Sequence, residues 1–440
     1  MPNLPLFPPS LAAQEPPPGK PGAAAPSPRG APRLLRAQRA QLYLRTCDYE
    51  SLLPDDHLAR LLWAAVARLD LSSFLARIEA RENEPGHPAV DPAIVVTLLL
   101  FARCEGIVNA REVERRCERD DAFRWICGGV SVNHHLLSDY DSKLHTEVDA
   151  LFNQVIAVLM HQGLVSMERT THDGTRVRAS AGAASFRREK TLLACLDDAK
   201  AHLAQVNRED ASDARTAAAN ERSARERVQR LEQALAELPK VREAKRTAED
   251  KAEARVSTTD PEARVMKMAD GGFRPGYNVQ LAADPDSRVV TGVGVTNVGS
   301  DSGQTEPMLD DIERRTGTRP CEYLADGGFV NTEAISHMER EGTTVYEPVP
   351  APRKEGIDRH APKPSDSPEV AAWRARMATP EAKELYKQRA STIELVNADL
   401  KAHRGLNQLA VRGTKKVLTS VLWTVLAYNV LQAIKLGAFG

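Results

Sequence analysis

The stretch Tyr277-Asn278-Val279-Gln280-Leu281-Ala282-Ala283, then Asp284-Pro285-Asp286-Ser287, then Val289-Val290-Thr291-Gly292-Val293-Gly294-Val295 decides the fold class. Apolar residues alternate on both sides of a cluster of turn formers, the pattern of two strands joined as a hairpin. Downstream the period changes. A helix is expected over residues 304–315, then a strand running to Asp326, a helix over 332–341 and a strand over 343–348. Proline- and charge-rich residues 350–370 read as a loop, and helices fill the chain from Pro380 onward. Upstream, Thr171-His172-Asp173-Gly174-Thr175 reads as a strand with a carboxylate at its end. Strands and helices in this order make a mixed α/β fold.

A chain of 440 residues holds two or three domains, and a hydrophobic content of 42% suffices for real cores. The net charge of −1 excludes a uniformly basic protein that coats nucleic acid. Basicity is local instead. Residues 383–416 carry eight basic side chains against three acidic ones, and residues 168–190 carry six against three. Such stretches suit a polyphosphate substrate, although either alone also reads as a solvated face. The six cysteines are scattered without a CxxC pair, as in a reduced protein, and Cys104, Cys117 and Cys127 before His134-His135 match no standard zinc spacing. No signal peptide is apparent. Residues 417–434 are uncharged and approach membrane-span length, but Thr419, Ser420, Thr424, Asn429 and Gln432 favour a buried core helix.

Residues 1–33 hold eleven of the 28 prolines and are expected to form a disordered tail. Residues 34–165 read as an all-helical region, with helices through Arg60–Val66, 92–102, 110–116 and 143–160. Arg111, Arg115 and Arg116 on the third of these suit a DNA-binding helix-turn-helix, with a plain helical bundle as the alternative. Residues 188–256 carry two apolar stripes, Leu192, Leu193, Leu196, Leu203 and Val206, then Val228, Leu231, Leu235, Leu238 and Val241. They read as a helical hairpin or coiled coil with a polar break over 207–217.

Three acids stand out against this frame. Asp173 and Asp326 fall at expected strand ends, and Glu394 falls on a helix. Each alone could be a turn or surface residue, since both Asp precede Gly. Together they can bring hard oxygen ligands to a pair of Mg²⁺ ions, a donor set for in-line displacement at phosphorus. Phosphodiester chemistry on DNA is the resulting expectation.

At these residues the chain resembles the DDE transposases of bacterial insertion sequences, in the branch with a Tyr-Arg-Glu-Lys signature. Asp173-Gly174-Thr175 matches the first acid and Ala325-Asp326-Gly327-Gly328-Phe329 the second, while Tyr386, Arg389, Glu394 and Lys401 match the signature around the third. Gly276-Tyr277-Asn278-Val279-Gln280, residues 297–304 and residues 406–431 look like connecting motifs, so the resemblance covers roughly 34–436. It implies an RNase H-like core, a mixed five-stranded sheet with flanking helices, over 166–187 and 257–436, preceded by the all-α region and interrupted by the 188–256 hairpin. Asp173, Asp326 and Glu394 would be catalytic and would ligate two Mg²⁺ ions, with Mn²⁺ able to substitute. Tyr386, Arg389, Lys401, Arg404, Arg111 and Arg115 would contact DNA. The implied partners are double-stranded DNA, as terminal inverted repeats and target, and a second copy in a homodimer. No membrane is implied, and the location would be cytoplasmic, at the nucleoid.

Two departures from the family pattern bear on this. Four residues separate Arg389 from Glu394 where the broader signature has three, which rotates Arg389 by about 140° from Glu394 on an ideal helix. Tyr140-Asp141 stands where an aromatic-Arg pair is usual, which bears on DNA contacts over 133–143. His172 is expected to pack or position rather than act as a base, and Glu322 and Asp301 are less well placed as catalytic acids. The rival functions are a transposase-derived protein that only binds DNA and a metal nuclease without strand transfer.

Overall fold

The computed structural model describes residues 48–81, 87–208, 214–352 and 356–439. The tail expected over 1–33 lies outside them. The N-terminal helices are α1 (Leu58–Val66), α2 (Ser72–Leu75), α3 (Pro92–Cys104), α4 (Ala110–Arg119), α5 (Asp121–Cys127), α6 (His134–Lys143) and α7 (His145–His161). Their starts are locally specified. Asp91, Asn109, Asp120 and Asn133 each accept a backbone N–H of the first turn, and Pro92 needs no donor there.

The stretch 133–143, considered for DNA contacts, is capped helix α6 with a core role. Tyr140 and Asp141 are buried, and Asp141 pairs with the buried Arg103 of α3. Trp423 Nε1 donates to the Tyr140 carbonyl at 2.9 Å. Ser420, which donates to Asp141, and the Ile107 carbonyl, which accepts from Arg103, supply part of what an ion pair this deep requires.

The rest of the chain runs β1 (Arg169–Arg178), β2 (Phe186–Arg187), α8 (Glu189–Val206), α9 (Ala214–Glu243), α10 (Ala248–Ala252), β3 (Val256–Ser257), β4 (Arg264–Lys267), β5 (Phe273–Ala283), β6 (Val290–Thr296), α11 (Thr305–Thr316), β7 (Glu322–Leu324), α12 (Thr332–Arg340), β8 (Thr344–Tyr346), α13 (Pro368–Ala378), α14 (Pro380–Tyr386), α15 (Gln388–His403) and α16 (Thr414–Lys435). Helix α13 occupies residues to which the sequence assigned no element beyond a loop.

The main sheet runs β6-β5-β1-β7-β8, with β5 antiparallel to β1 and β6, and β7 parallel to β1 and β8. It has six strands rather than the five expected. β4 adds to the edge of β5 over residues 273–276, beside the stretch that pairs β6. Asp173 lies in the middle of β1 rather than at its end. The strand continues because residues 171–178 pair with β5 beyond the last contact to β7. β5 is buried on both faces from Tyr277 to Ala283, as a central strand must be.

Helix α16 crosses the centre of the molecule. Among the described residues it is the one helix long and apolar enough to cross a membrane, and 83% of its apolar window is buried in protein. One apolar core joins α1, α3 and α7 through α16 to β5 and β6. Asn429 sits in that core because it closes the β6 edge. It accepts the Val290 N–H at 2.9 Å and donates to the Val290 carbonyl at 2.8 Å. A second core, around Trp373, Tyr323, Phe329 and Ile335, packs α12 and α13 beside β7 and β8.

Between β1 and β5 the chain leaves the sheet as an antiparallel arm, α8 against α9. Leu192, Leu196, Val228, Leu231 and Leu238 pack along its seam. Arg242–Glu189 at 2.7 Å and Lys200–Glu232 at 3.3 Å fix the direction. At its base Phe186 pairs with Ser257 and Arg187 with Val256.

Candidate active site

Three elements deliver one acid each to a common point. Asp173 stands on β1, where the pleat turns it toward α15. Asp326 lies two residues past β7, and its Oδ1 accepts the Gly328 N–H at 2.7 Å, which fixes the carboxylate. Glu394 lies on α15. Between them is Arg389. Its Nη2 is 3.0 Å from Asp173 Oδ1 and 3.8 Å from Asp326 Oδ2, and its Nη1 donates to Glu394 Oε1 at 2.9 Å.

The contact forms despite the spacing. Arg389 and Glu394 both lie on α15, Arg389 in its first turn, so their offset around the helix remains. Glu394 leans back toward the helix N-terminus, as helical side chains do, and the long arginine closes the rest of the gap.

The acids are unequally buried. The Asp173 side chain is 17% exposed, Asp326 40% and Glu394 52%, around an arginine at 11%. Burial pushes the Asp173 carboxyl above its ordinary pKa, against the pull of the Arg389 charge and with a further push from Asp326. Burial works to lower the pKa of Arg389, but the facing acids outweigh it and the net shift is upward. Asn397, one helical turn beyond Glu394, donates to Asp173 Oδ2 at 3.0 Å.

Three hard carboxylates that already share one cation are a donor set suited to a divalent metal. Among the described residues no three His, Cys, Asp or Glu side chains lie close enough to hold a metal ion directly. The guanidinium stands between the acids.

The opposite face of β1 carries a different cluster. Asp301 accepts from Asn278 Nδ2 at 2.7 Å, Gln280 Nε2 at 2.9 Å and Arg176 Nη2 at 2.9 Å. Gly174 makes room for it, since a Cβ there would fall 2.0 Å from Asp301 Oδ1. His172 is fully buried on this face, bonded through Nδ1 to the Tyr323 hydroxyl, and burial drives its pKa down to about 3. A neutral, enclosed imidazole packs and positions.

Two family comparisons bear on this arrangement. Residues 243–430 match the Transposase DDE domain, and residues 47–143 match the Transposase domain (DUF772). The chain belongs to the DDE transposases of insertion-sequence type. The first match includes Asp326, Arg389 and Glu394 and begins after Asp173. No curated protein and no solved structure matches this transposase.

The remaining residues singled out from sequence are placed as follows. Tyr386 ends α14 half-buried against the second core, with its pKa raised chiefly by burial. Lys401 lies two turns past Glu394, where burial lowers its pKa against the opposing field of Asp173. Arg404 turns inward, 3.0 Å from Asp399 and 2.6 Å from the Cys104 carbonyl. Arg111 and Arg115 are exposed on α4, and Arg115 pairs with Glu112.

Two further residues of this transposase site escaped the sequence reading. Asn397 sits three residues after Glu394, a spacing that puts it on the same helical face. Glu347 follows β8 and is 1% exposed, with Oε2 unpartnered among the described residues. Burial, and then Asp326, push its pKa up to about 8. A neutral acid at that position adds no further negative charge beside Asp326 at neutral pH.

Proposed function

We propose that this transposase binds the terminal inverted repeats of its element, cleaves DNA there and joins the freed 3′ ends to target DNA through the triad Asp173, Asp326 and Glu394. The observation that carries the reading is the convergence of three carboxylates, from a central strand, a strand end and a helix, on one cation. The strand order β6-β5-β1-β7-β8, with its first three strands antiparallel and the last two parallel to β1, supports an RNase H-like core over 166–187 and 257–436. Tyr386, Arg389, Glu394 and Lys401 support the Tyr-Arg-Glu-Lys branch of the family.

Divalent ions, as the family typically uses, would be held by Asp173, Asp326 and Glu394. When bound they supply Lewis-acid activation and charge stabilisation at the phosphorus centre. The chain's own residues do the positioning. Asn397 orients Asp173, and the Gly328 N–H orients Asp326. Lys401 supplies a positive charge beside Asp173 for a DNA phosphate. Arg111 and Arg115 present charge on α4, and Arg404 braces α15 against α3. Two element ends must be held together, so the active form is a homodimer at the nucleoid in the cytoplasm.

The test is cleavage of a duplex carrying the ends that flank this gene, with Mg²⁺ or Mn²⁺, by wild type and by D173N, D326N and E394Q. The reading expects nicking at the element boundary, lost in each variant while duplex binding survives. Binding without nicking by wild type would assign the chain to DNA recognition alone. Nicking without strand transfer would assign it to hydrolytic nucleases.

A further inference from the structure

We infer that Arg389 is a displaceable stand-in for the metal ions, which holds the three acids together in the metal-free protein and must leave them before a divalent ion can bind. The inference rests on the proposed role of the triad. Its basis is geometric. One guanidinium lies within 4 Å of a carboxylate oxygen on each of Asp173, Asp326 and Glu394. Without a cation there, three acids from three elements would face one another, and like charges at such range repel.

Other features mark the contact as one built to be exchanged. Structural arginines in this molecule are closed off. Arg374, for example, is 6% exposed and engaged by Asp366 at 2.7 Å and by the Arg359 carbonyl at 3.1 Å. The Arg389 Nε is buried without a partner among the described residues, as is that of the structural Arg103, so the distinction lies in the acids. Two of its three acids are 40% and 52% exposed, so they are open from the solvent side. Its anchor is the first turn of α15, next to the break at Lys387, where a side chain can swing without disturbing a helix interior. A guanidinium expelled from carboxylates is free to take a phosphate with the same two-nitrogen geometry. Metal entry and phosphate capture then become one exchange.

A site that is competent only when Arg389 is out binds metal more weakly by the fraction of time it is competent. Removing the side chain removes that penalty. The measurement is Mn²⁺ binding to the full chain, without DNA, by calorimetry and by electron paramagnetic resonance of free Mn²⁺. The proteins are wild type, R389M, R389K, K401M and D173N. Loss of binding in D173N identifies the site. The expected result is at least about tenfold tighter binding in R389M. K401M removes an equal charge near Asp173 without breaking a contact to the triad, and should tighten binding by less than about threefold, a purely through-space effect. In the metal chelator EDTA, R389M should melt below wild type, and Mn²⁺ should raise its melting temperature by more.

Equal tightening in R389M and K401M, or none in R389M, overturns the inference and leaves the triad as a metal site. No Mn²⁺ binding sensitive to D173N would instead remove the proposed function on which the inference rests. Should R389M fail to fold, R389K decides. It keeps the charge but cannot bridge three acids, so tightening there supports the exchange and an unchanged affinity refutes it.

Discussion

Two acidic clusters flank the same strand and are built on opposite principles. On one face of β1, Asp301 alone receives two side-chain amides and a guanidinium, all within 2.9 Å. On the other face three carboxylates divide a single guanidinium, and two of them stand substantially open. A carboxylate with its acceptor sites filled and its solvent removed is scaffold. Carboxylates that converge and remain short of donors are ready for another cation. The distinction is one of satisfaction rather than of residue type, since both clusters contain Asp and Arg.

The comparison can be broken first at the triad. D173N, D326N and E394Q should each lower the nicking rate by about a thousandfold or more, while urea denaturation shifts by no more than about 1 kcal/mol. Comparable losses of stability and activity would make the triad scaffold as well. Next, D301A should behave in the opposite way. It leaves Arg176, Asn278 and Gln280 without their shared acceptor, and should cost about 3 kcal/mol of stability. A denaturation midpoint equal to that of D173N would erase the contrast.

Glu347 sharpens the argument through pH. Its pKa rises from 4.5 to about 8 on folding, so the folded state keeps a proton that the unfolded chain releases between those values. The stability it contributes is fully present below pH 4.5 and is lost as the pH rises through about 8. E347Q mimics the neutral acid at every pH. It should match wild type near pH 4 and exceed it at pH 8.5, by on the order of 4 kcal/mol, in paired thermal melts. Parallel pH curves for the two proteins would show that the carboxyl is not held neutral. The smallest effect belongs to Arg111, exposed and without a side-chain partner among the described residues. R111A should leave stability within about 0.5 kcal/mol and reduce the salt dependence of duplex binding by about one unit of slope. An unchanged slope would place α4 away from the phosphates.

Much of the frame could be read from residues alone. Alternation around Asp284-Pro285-Asp286-Ser287 gave the β5–β6 hairpin, and the helix-strand-helix-strand succession after it follows the observed order. The polar residues of 417–434 signalled a core helix, and Asn429 shows why they did, since one of them closes a strand edge. The misses have local causes. β4 is four residues long and owes its existence to a free stretch of β5 edge, which no periodicity reports. β1 runs past Asp173 because pairing with β5 overrides the weak strand propensity of Gly174 and the charges that follow. Helix α13 was hidden behind a proline-rich stretch, though Ser367 and Pro368 form an ordinary helix start. Within the site, Asp301 was weighed as a rival acid because sequence shows the carboxylate but not Asn278 and Gln280, two apart on β5, that saturate it. Arg389 was judged by the direction of its backbone, whereas its side chain is long enough to make that direction a poor guide.

The short pairing of β2 with β3 sets the chain's departure into the arm and its return side by side. An excursion that leaves and re-enters at one point imposes almost nothing on the register of β1 against β5. The arm also touches the sheet, through Glu237 with Arg264 of β4 at 2.6 Å and Gln233 with Glu262 at 2.8 Å, so a segment exchanged for residues 188–255 keeps the strands around Asp173 in step where it preserves the base and these contacts.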